Sequence, residues 1–151
     1  MMSHRISAGT LTLRDGKVLL VHHVRPAVHD FWVGPGGGVE GEEPLAEAAE
    51  RETFEETGLT VRAGRIAYIE ELVDVTTRYL KFWFLADYVS GEIDTGSNPA
   101  DGESIVEAGW FEQDALPSGL VFPLVLRDHF WSNIHTGFLT PVFLPLRRAM
   151  S

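Results

Sequence analysis

The sequence predicts a mixed α/β (α+β) domain in which strands outnumber helices. Several segments rich in β-branched and aromatic residues are separated by Gly, Asp and Pro, whereas one long segment, residues 44–57, is rich in Ala, Glu and Leu. The 151 residues fit a single domain, residues 1–151, that can bury a core without disulfides. Cysteine is absent, which excludes a disulfide scaffold, a thiolate zinc site and a cysteine nucleophile.

The first part of the chain predicts a hairpin followed by a loop. Residues 5–14 partly alternate, and Asp15-Gly16 is a hairpin turn signal that leads into a returning strand at 17–24. Residues 25–33 are expected to form a loop. The run Gly34-Pro35-Gly36-Gly37-Gly38 then predicts a backbone that turns unusually or approaches another group closely.

The rest of the chain predicts two helices and three more strands. A helix at 44–57 has Gly58 as a C-terminal stop. Strands at 60–75 and 77–89 follow, and the run 82–86 is apolar at every position, which indicates a buried central strand. The remaining elements are, in order, a polar loop at 90–104, a strand at 105–111, a helix at 122–134 and an extended tail that contains Pro141 and Pro145.

The charge distribution narrows the classes of function. The net charge is −10, and residues 40–56 hold eight Glu and one Arg, which is −7 in a single segment. An acidic chain is a poor binder of nucleic-acid polymers, because phosphate backbones require a basic surface. No stretch approaches the roughly 18 apolar residues of a membrane span, and residues 1–9 lack the apolar core of a signal peptide. We expect a cytoplasmic protein whose partner is a small molecule, not a membrane.

The acidic helix predicts a cation site. On a helical wheel, Glu52 and Glu56 fall on the same side as the small apolar residues, and Glu55 flanks them. Clustered, partly buried carboxylates are costly unless a cation compensates them, and ligands that are all oxygen suit Mg²⁺ or Mn²⁺ better than zinc. The alternative is a solvated acidic surface, in which Arg51 pairs with Glu47 and Glu55 four residues away.

The spacing of these residues resembles the Nudix box of the MutT-like Nudix hydrolases. Five residues separate Gly37 from Glu43, and seven more lead to Arg51-Glu52. Glu55-Glu56, Gly58 and Leu59 complete the pattern over residues 37–59. One position departs from it, since Thr53 stands where a bulky aliphatic residue is usual. Trp110-Phe111 and the order of the strands also resemble the family.

The resemblance implies a fold, a reaction and a set of site residues. The fold is a mixed sheet between helices. The reaction is hydrolysis of the diphosphate linkage of a nucleoside diphosphate derivative to a nucleoside monophosphate and a phosphorylated product, with Mg²⁺ (or Mn²⁺) as cofactor. The implied metal ligands are Glu52, Glu55, Glu56 and the carbonyl of Gly37. Arg51 would orient the glutamates, with Glu43 supporting it.

Other assignments remain alternatives. The general base is Glu56, Glu55 or the loop residue Glu103. Substrate contacts are expected from His23, Arg25, Gly36 and Gly38. Arg78 and Lys81 are expected to lie on a solvated face, with phosphate neutralisation as the alternative, and Arg147-Arg148 are expected only to solubilise the tail. Relatives of this type are often dimers, which makes the apolar segment Val142-Phe143-Leu144 a candidate homodimer interface.

The substrate is left open among several nucleotides. A nucleoside triphosphate, a deoxynucleoside triphosphate or a small NDP derivative is favoured over ADP-ribose and dinucleoside polyphosphates, whose subclass residues are missing after the box. Two other classes compete with the enzyme. One is a non-catalytic nucleotide sensor of the same fold, and the other is an acidic scaffold with a solvated glutamate helix.

Overall fold

The computed structural model describes residues 1–96 and 104–148, which form one sheet and two α-helices. The strands are β1 (Ser3–Arg14), β2 (Lys17–Arg25), β3 (His29–Val33), β4 (Gly36–Gly38), β5 (Thr60–Val73), β6 (Thr77–Ser90), β7 (Ile105–Phe111), β8 (Val121–Phe122), β9 (Val142–Phe143) and β10 (Arg147–Arg148). The helices are α1 (Leu45–Thr57) and α2 (His129–Thr136), with 3₁₀ turns at Gln113–Ala115 and Leu124–Arg127. Neither helix of this described part has the length and apolarity needed to cross a membrane.

The sheet is mixed, as the sequence predicts. Its main path runs β10-β5-β6-β1-β2-β3-β8, while β4 pairs with β1, β7 with β2 and β9 with β5. The pair β1–β6 is parallel, whereas β5–β6 and β1–β2 are antiparallel. The predicted hairpin turn at Asp15-Gly16 joins β1 to β2.

The two helices pack against different side chains of β6. Ala48 and Ala49 of α1 pack in a cluster with Phe84, whereas Phe130 of α2 belongs to the main core with Trp83. Successive residues of a strand point to opposite faces, so the helices cover opposite faces of the sheet. The buried central strand predicted at residues 82–86 is therefore confirmed.

Three predicted elements differ in the structure. Residues 29–33 form β3, paired with β2, where a loop is predicted. The helix predicted at 122–134 is wrong in its first half, where Phe122 ends β8 and Leu124–Arg127 form a 3₁₀ turn. Asp128 has a non-helical backbone, and its side chain accepts a hydrogen bond from the His129 N–H, so α2 begins only at His129. The extended tail becomes β9 and β10, which join the sheet beside β5.

The glycine run allows close approach and does not form an unusual turn. None of its glycines has a positive φ. A Cβ on Gly37 would lie 2.6 Å from the carboxyl carbon of Glu52, and one on Gly34 would lie 2.7 Å from the ring of Trp83. Real Cβ atoms do not approach other groups so closely, so a side chain at Gly37 would displace the helix carboxylate and one at Gly34 would displace the core tryptophan.

Thr53 is accommodated by a chain of buried hydroxyls. Its Oγ1 donates to the Ala49 carbonyl at 2.8 Å and lies 2.8 Å from the Thr10 hydroxyl. Thr12 donates to Thr10 at 3.0 Å, which leaves the Thr10 proton for Thr53. All three threonines are fully buried. The polar residue at an aliphatic position of the box is therefore satisfied by β1.

Replacing Thr53 with valine should destabilise the protein even though the shape is kept. The Thr10 hydroxyl would lose its acceptor, and a buried unsatisfied donor costs about 1–2 kcal/mol. Chemical unfolding of Thr53→Val, Thr10→Val and the double variant measures the coupling between the two positions. Strictly additive effects would contradict a shared hydroxyl chain.

Candidate active site

Helix α1 buries two of its glutamates. Glu52 and Glu56 are 6% and 1% exposed. The face that carries them also carries Ala48 and Ala49, whose small side chains let the helix approach the sheet at Ala8. Glu55 lies at the edge of this face, with its side chain 30% exposed. The helical wheel predicts this arrangement, and the structure confirms the burial of Glu52 and Glu56.

Arg51 holds the carboxylates of the box together. Its Nε and Nη2 donate to the two oxygens of Glu43 at 3.0 and 2.7 Å. Its Nη1 donates to Glu52 Oε1 and Glu55 Oε2, each at 3.1 Å. Nη2 also reaches the carbonyl of Gly38 at 3.1 Å. The pairing with Glu55 was predicted, whereas the bidentate pairing is with Glu43 and not with Glu47.

Arg51 and Glu43 shift each other's pKa. Its hydrogen bonds to Glu43 hold the pKa of that carboxyl below its usual range. The same hydrogen bonds raise the pKa of Arg51 further above its ordinary value.

Within residues 1–96 and 104–148, no three His, Asp or Glu side chains are gathered closely enough to hold a metal ion as they stand. Arg51 already occupies one oxygen each of Glu52 and Glu55.

The glycine run borders the same network. The N–H of Gly36 donates to Glu56 Oε1 at 3.1 Å. Gly37 lies against the carboxylate of Glu52, and Gly38 is exposed and supplies the carbonyl that Arg51 contacts. Strand β4 is held in place by antiparallel pairing with Ser7–Gly9 of β1. The loop and the helix therefore form one polar unit at the edge of the core.

A cleft of about 260 Å³ lies over β3, β5 and β6. Aromatic side chains of Phe31, Trp83 and Phe122 form its walls. The charged and polar groups that line it are His29, Asp30, Glu70, Lys81 and Arg147. An apolar cleft with a few convergent polar groups is the usual form of a small-molecule site.

Lys81 lines the cleft and interacts electrostatically with the carboxylates of α1. Its Nζ lies 4.1 Å from the centre of the Trp83 ring. Burial lowers the pKa of Lys81, and the negative charges of Glu70, Glu56 and Glu52 oppose that shift. One end of the cleft is therefore within electrostatic reach of the acidic helix.

The remaining candidates occupy different places. His23 stacks on the cleft residue Phe31, with ring centres 5.2 Å apart, and is not itself a lining residue. Arg25 lies at the exposed end of β2, outside the residues that line the cleft. Glu103 lies outside the described residues. Arg78 pairs with Glu71 at 2.8 Å.

Because His23 is largely buried, we expect the stability of the protein to depend on pH. Burial lowers its pKa to about 4 from an ordinary 6.5, and the neighbouring His29 adds to the effect. The unfolded chain binds the proton first, so stability is present above pH 6.5 and is lost as the pH falls towards 4. We expect this residue to contribute a slope of about 1.4 kcal/mol per pH unit in that window.

Thermal or urea unfolding across the window, compared between wild type and His23→Gln, isolates this contribution from the carboxylates that also titrate. His135→Gln on the exposed end of α2 is the matched control. Equal slopes in wild type and His23→Gln would contradict the assignment.

Two residues of the cleft, Glu70 and Arg147, were not identified from the sequence as site residues. Glu70 is 4% exposed and accepts a hydrogen bond from Trp83 Nε1 at 2.8 Å. Arg147 was expected only to solubilise the tail, but it contacts Glu70 Oε2 at 3.4 Å. The available signal was the acidic pair Glu70-Glu71 in a strand segment that is otherwise apolar, and the pair does not show which of the two is buried. Nothing local marks Arg147, because its position depends on how the tail pairs.

The chain matches a known family model and is similar to characterised proteins. The family model described as "NUDIX domain" matches residues 3–129. The NAD-capped RNA hydrolase NudC of Chromobacterium violaceum is 36% identical over 121 residues, which cover 80% of this chain. The chain spans only 43% of that protein.

Two further proteins match over more of their own length. An oxidized purine nucleoside triphosphate hydrolase of Danio rerio is 31% identical over 138 residues, or 84% of this chain and 83% of that protein. The crystal structure of a NUDIX hydrolase from Nitrosomonas europaea superposes with a TM-score of 0.75 at 19% identity, and it covers 99% of this chain and 81% of the other. The last likeness shows the fold alone.

Proposed function

Because the chain belongs to the NUDIX domain family, we propose that it is a hydrolase of nucleoside diphosphate derivatives. It would cleave the diphosphate linkage of a substrate such as an NTP, a dNTP or a small NDP derivative, giving a nucleoside monophosphate and a phosphorylated product. The observation that carries this proposal is that the buried Glu52 and Glu56 lie within electrostatic reach of Lys81, which lines an aromatic cleft.

The acidic helix suits a divalent cation, for which we propose Mg²⁺, or Mn²⁺ in its place. Nudix hydrolases generally use divalent metal ions, and the donors here are all oxygens, which these two ions prefer. The missing side chain at Gly37 leaves room for the carboxylate of Glu52. The residues that would hold the ion are Glu52, Glu55, Glu56 and the carbonyl of Gly37. When bound, the ion would offset the phosphate charge, polarise the phosphoryl oxygens and make water more acidic.

The chain's own residues would orient the reactants and move the proton. A carboxylate accepts the proton of the water that attacks phosphorus, and the candidates are Glu56, Glu55 and Glu103. Glu56 is held by the Gly36 N–H, which fixes one oxygen of the carboxylate. Arg51 is a positioning residue, because its contacts to Glu43, Glu52 and Glu55 set their directions. Lys81 would face the substrate phosphates from the cleft.

We propose a small nucleotide as the substrate. The relatives named above act on NAD-capped RNA and on oxidized purine nucleoside triphosphates. The net charge of −10 disfavours an RNA chain and leaves the second kind of substrate as the better guide. His23, Arg25, Gly36 and Gly38 stay proposed contacts. We also propose a cytoplasmic protein that forms a homodimer through the tail segment Val142-Phe143-Leu144, in which Val142 and Phe143 are exposed.

The direct test is release of nucleoside monophosphate from a panel of candidate substrates. The panel contains NTPs, dNTPs, ADP-ribose, sugar nucleotides and dinucleoside polyphosphates, each assayed with Mg²⁺, Mn²⁺ or EDTA. Turnover that requires a metal supports the hydrolase and identifies its substrate class. Tight binding of a nucleotide without turnover of any substrate would instead favour a nucleotide sensor of the same fold.

A further inference from the structure

The tail places a cation in the cleft. Residue Arg147 lies on β10, beyond the segment 3–129 that matches the family model. Strand β10 pairs in parallel with β5, with Arg147 opposite Leu72, another lining residue of the cleft. Its neighbour Arg148 is exposed, as alternation along a strand requires. One of two adjacent arginines therefore contributes to the cleft while the other faces solvent.

Arg147 has hydrogen-bonding capacity that the described residues leave unused. Its Nη2 lies 3.4 Å from Glu70 Oε2, a long contact, and its guanidinium carbon lies 4.7 Å from the centre of the Phe122 ring. Its Nε is buried and has no hydrogen-bond partner in the described part of the chain. A buried charged donor is unfavourable without an acceptor. The guanidinium is therefore short of acceptors within the described residues, and a ligand in the cleft would supply them.

The carboxylates of the cleft are already engaged. Glu70 accepts from Trp83 Nε1 at 2.8 Å and contacts Arg147. Asp30 Oδ1 lies 2.6 Å from His22 Nε2. Hydrogen-bond donors are thus in excess at this site, and a ligand that offers acceptors fits it better than one that offers donors.

The order of the strands separates the ends of the cleft. Strand β4, next to the acidic helix, pairs with β1, and β6, β5 and β10 follow in turn across the sheet. Lys81 on β6 lies opposite Glu70 on β5, and Arg147 lies one strand further out. Neighbouring strands are about 4.8 Å apart, so Arg147 lies on the side of the cleft away from the carboxylates of α1. Phosphates at the carboxylate end would direct the base towards Arg147.

We propose that Arg147 is a specificity-determining residue, which donates to the carbonyl oxygen of a 6-oxopurine and disfavours adenine. The walls of Phe31, Trp83 and Phe122 suit a planar ring. Arginine has only donors, which match the O6 and N7 acceptors of an oxopurine edge, whereas the amino group of adenine presents a donor. This inference rests on the proposed function only in taking the ligand to be a nucleotide.

Binding of IMP and AMP tests the proposal, because the two differ only along one edge of the ring: IMP carries O6 and an N1–H, whereas AMP carries a 6-amino group and an unprotonated N1. Dissociation constants are measured by titration calorimetry with Mg²⁺ present for wild type, Arg147→Met, Arg147→Lys and the matched control Arg148→Met. We expect wild type and Arg148→Met to bind IMP about tenfold more tightly than AMP, and Arg147→Met to lose that preference. Lysine keeps the charge without the planar fork, so Arg147→Lys should retain only part of it.

The outcomes separate this inference from the proposed hydrolase. No preference in wild type, a preference kept in Arg147→Met, or no measurable binding of either nucleotide would overturn the role of Arg147. Monophosphates need no turnover, so a preference lost in Arg147→Met supports the role even if the substrate panel shows no hydrolysis. The Arg147 variants remove one contact of Glu70 and keep its hydrogen bond with Trp83. Thermal unfolding of each variant checks that the loss of this contact has not destabilised the fold.

Discussion

Replacing Glu56 with glutamine is expected to reduce metal-dependent hydrolysis by about 10²–10⁴-fold while leaving the protein folded. The glutamine carbonyl can keep the hydrogen bond from the Gly36 N–H, which is 3.1 Å long in the structure. The substitution removes one negative charge from a side chain that is 1% exposed. Removing this charge relieves its desolvation cost but also weakens its attraction to Lys81, so we expect the unfolding temperature without metal to change little.

The control for this variant is Glu47→Gln, which makes the same change of charge on the exposed side of α1. Initial rates on a substrate found with the panel, and unfolding temperatures with and without Mg²⁺, are the measurements. We expect Mg²⁺ to raise the unfolding temperature of wild type and Glu47→Gln more than that of Glu56→Gln. If Glu56→Gln retained full activity and the full Mg²⁺ shift, Glu56 would be neither ligand nor base.

Removing Arg51 should lower stability and activity together. The side chain is 23% exposed and contacts Glu43, Glu52 and Glu55, so Arg51→Ala leaves neighbouring carboxylates without their shared cation. The loss of a partner from a largely buried ion pair costs about 3 kcal/mol. The carboxylates would also lose their orientation, which reduces activity by about 10–100-fold when a supporting partner of a metal site is removed.

A divalent cation should partly rescue the stability of Arg51→Ala, because it would replace the missing positive charge among the glutamates. We therefore expect Mg²⁺ to raise the unfolding temperature of this variant more than that of wild type, whereas activity stays low. Arg51→Lys should resemble the alanine variant in activity, since an ammonium cannot contact three carboxylates in the geometry of a guanidinium. Arg62→Ala, at an exposed position of β5, is the charge-matched control. A stability of Arg51→Ala equal to wild type without metal would contradict this role.

Local periodicity predicts much of the fold. The turn at Asp15-Gly16, helix α1 with its stop at Gly58, and the central strand β6 all follow from patterns within a few residues. Strand β3 is missed, because two of its five residues are His29 and Asp30. Their polar groups are satisfied by Ser104 at 3.0 Å and His22 at 2.6 Å, and neither contact belongs to a local pattern.

The candidate site is also predicted only in part by local patterns. The burial of Glu52 and Glu56 follows from their phase on α1, since a helix with small residues on one face must place that face on the sheet. Which partner Arg51 chooses does not follow from spacing alone. Glu43 lies before the helix, and the loop that returns it to Arg51 is shaped by the pairing of β4 with β1.

Patterns within the sequence were therefore sufficient to predict the mixed fold, the acidic helix and the box of residues 37–59. The tertiary structure was needed for the cleft, because its walls come from β3, β5, β6, β8 and β10 and no single segment contains it. It was needed most for Arg147, whose neighbour Arg148 is chemically identical. Only the register of β10 on β5 turns one arginine towards Glu70 and the other towards solvent, and register is decided by contacts between distant segments.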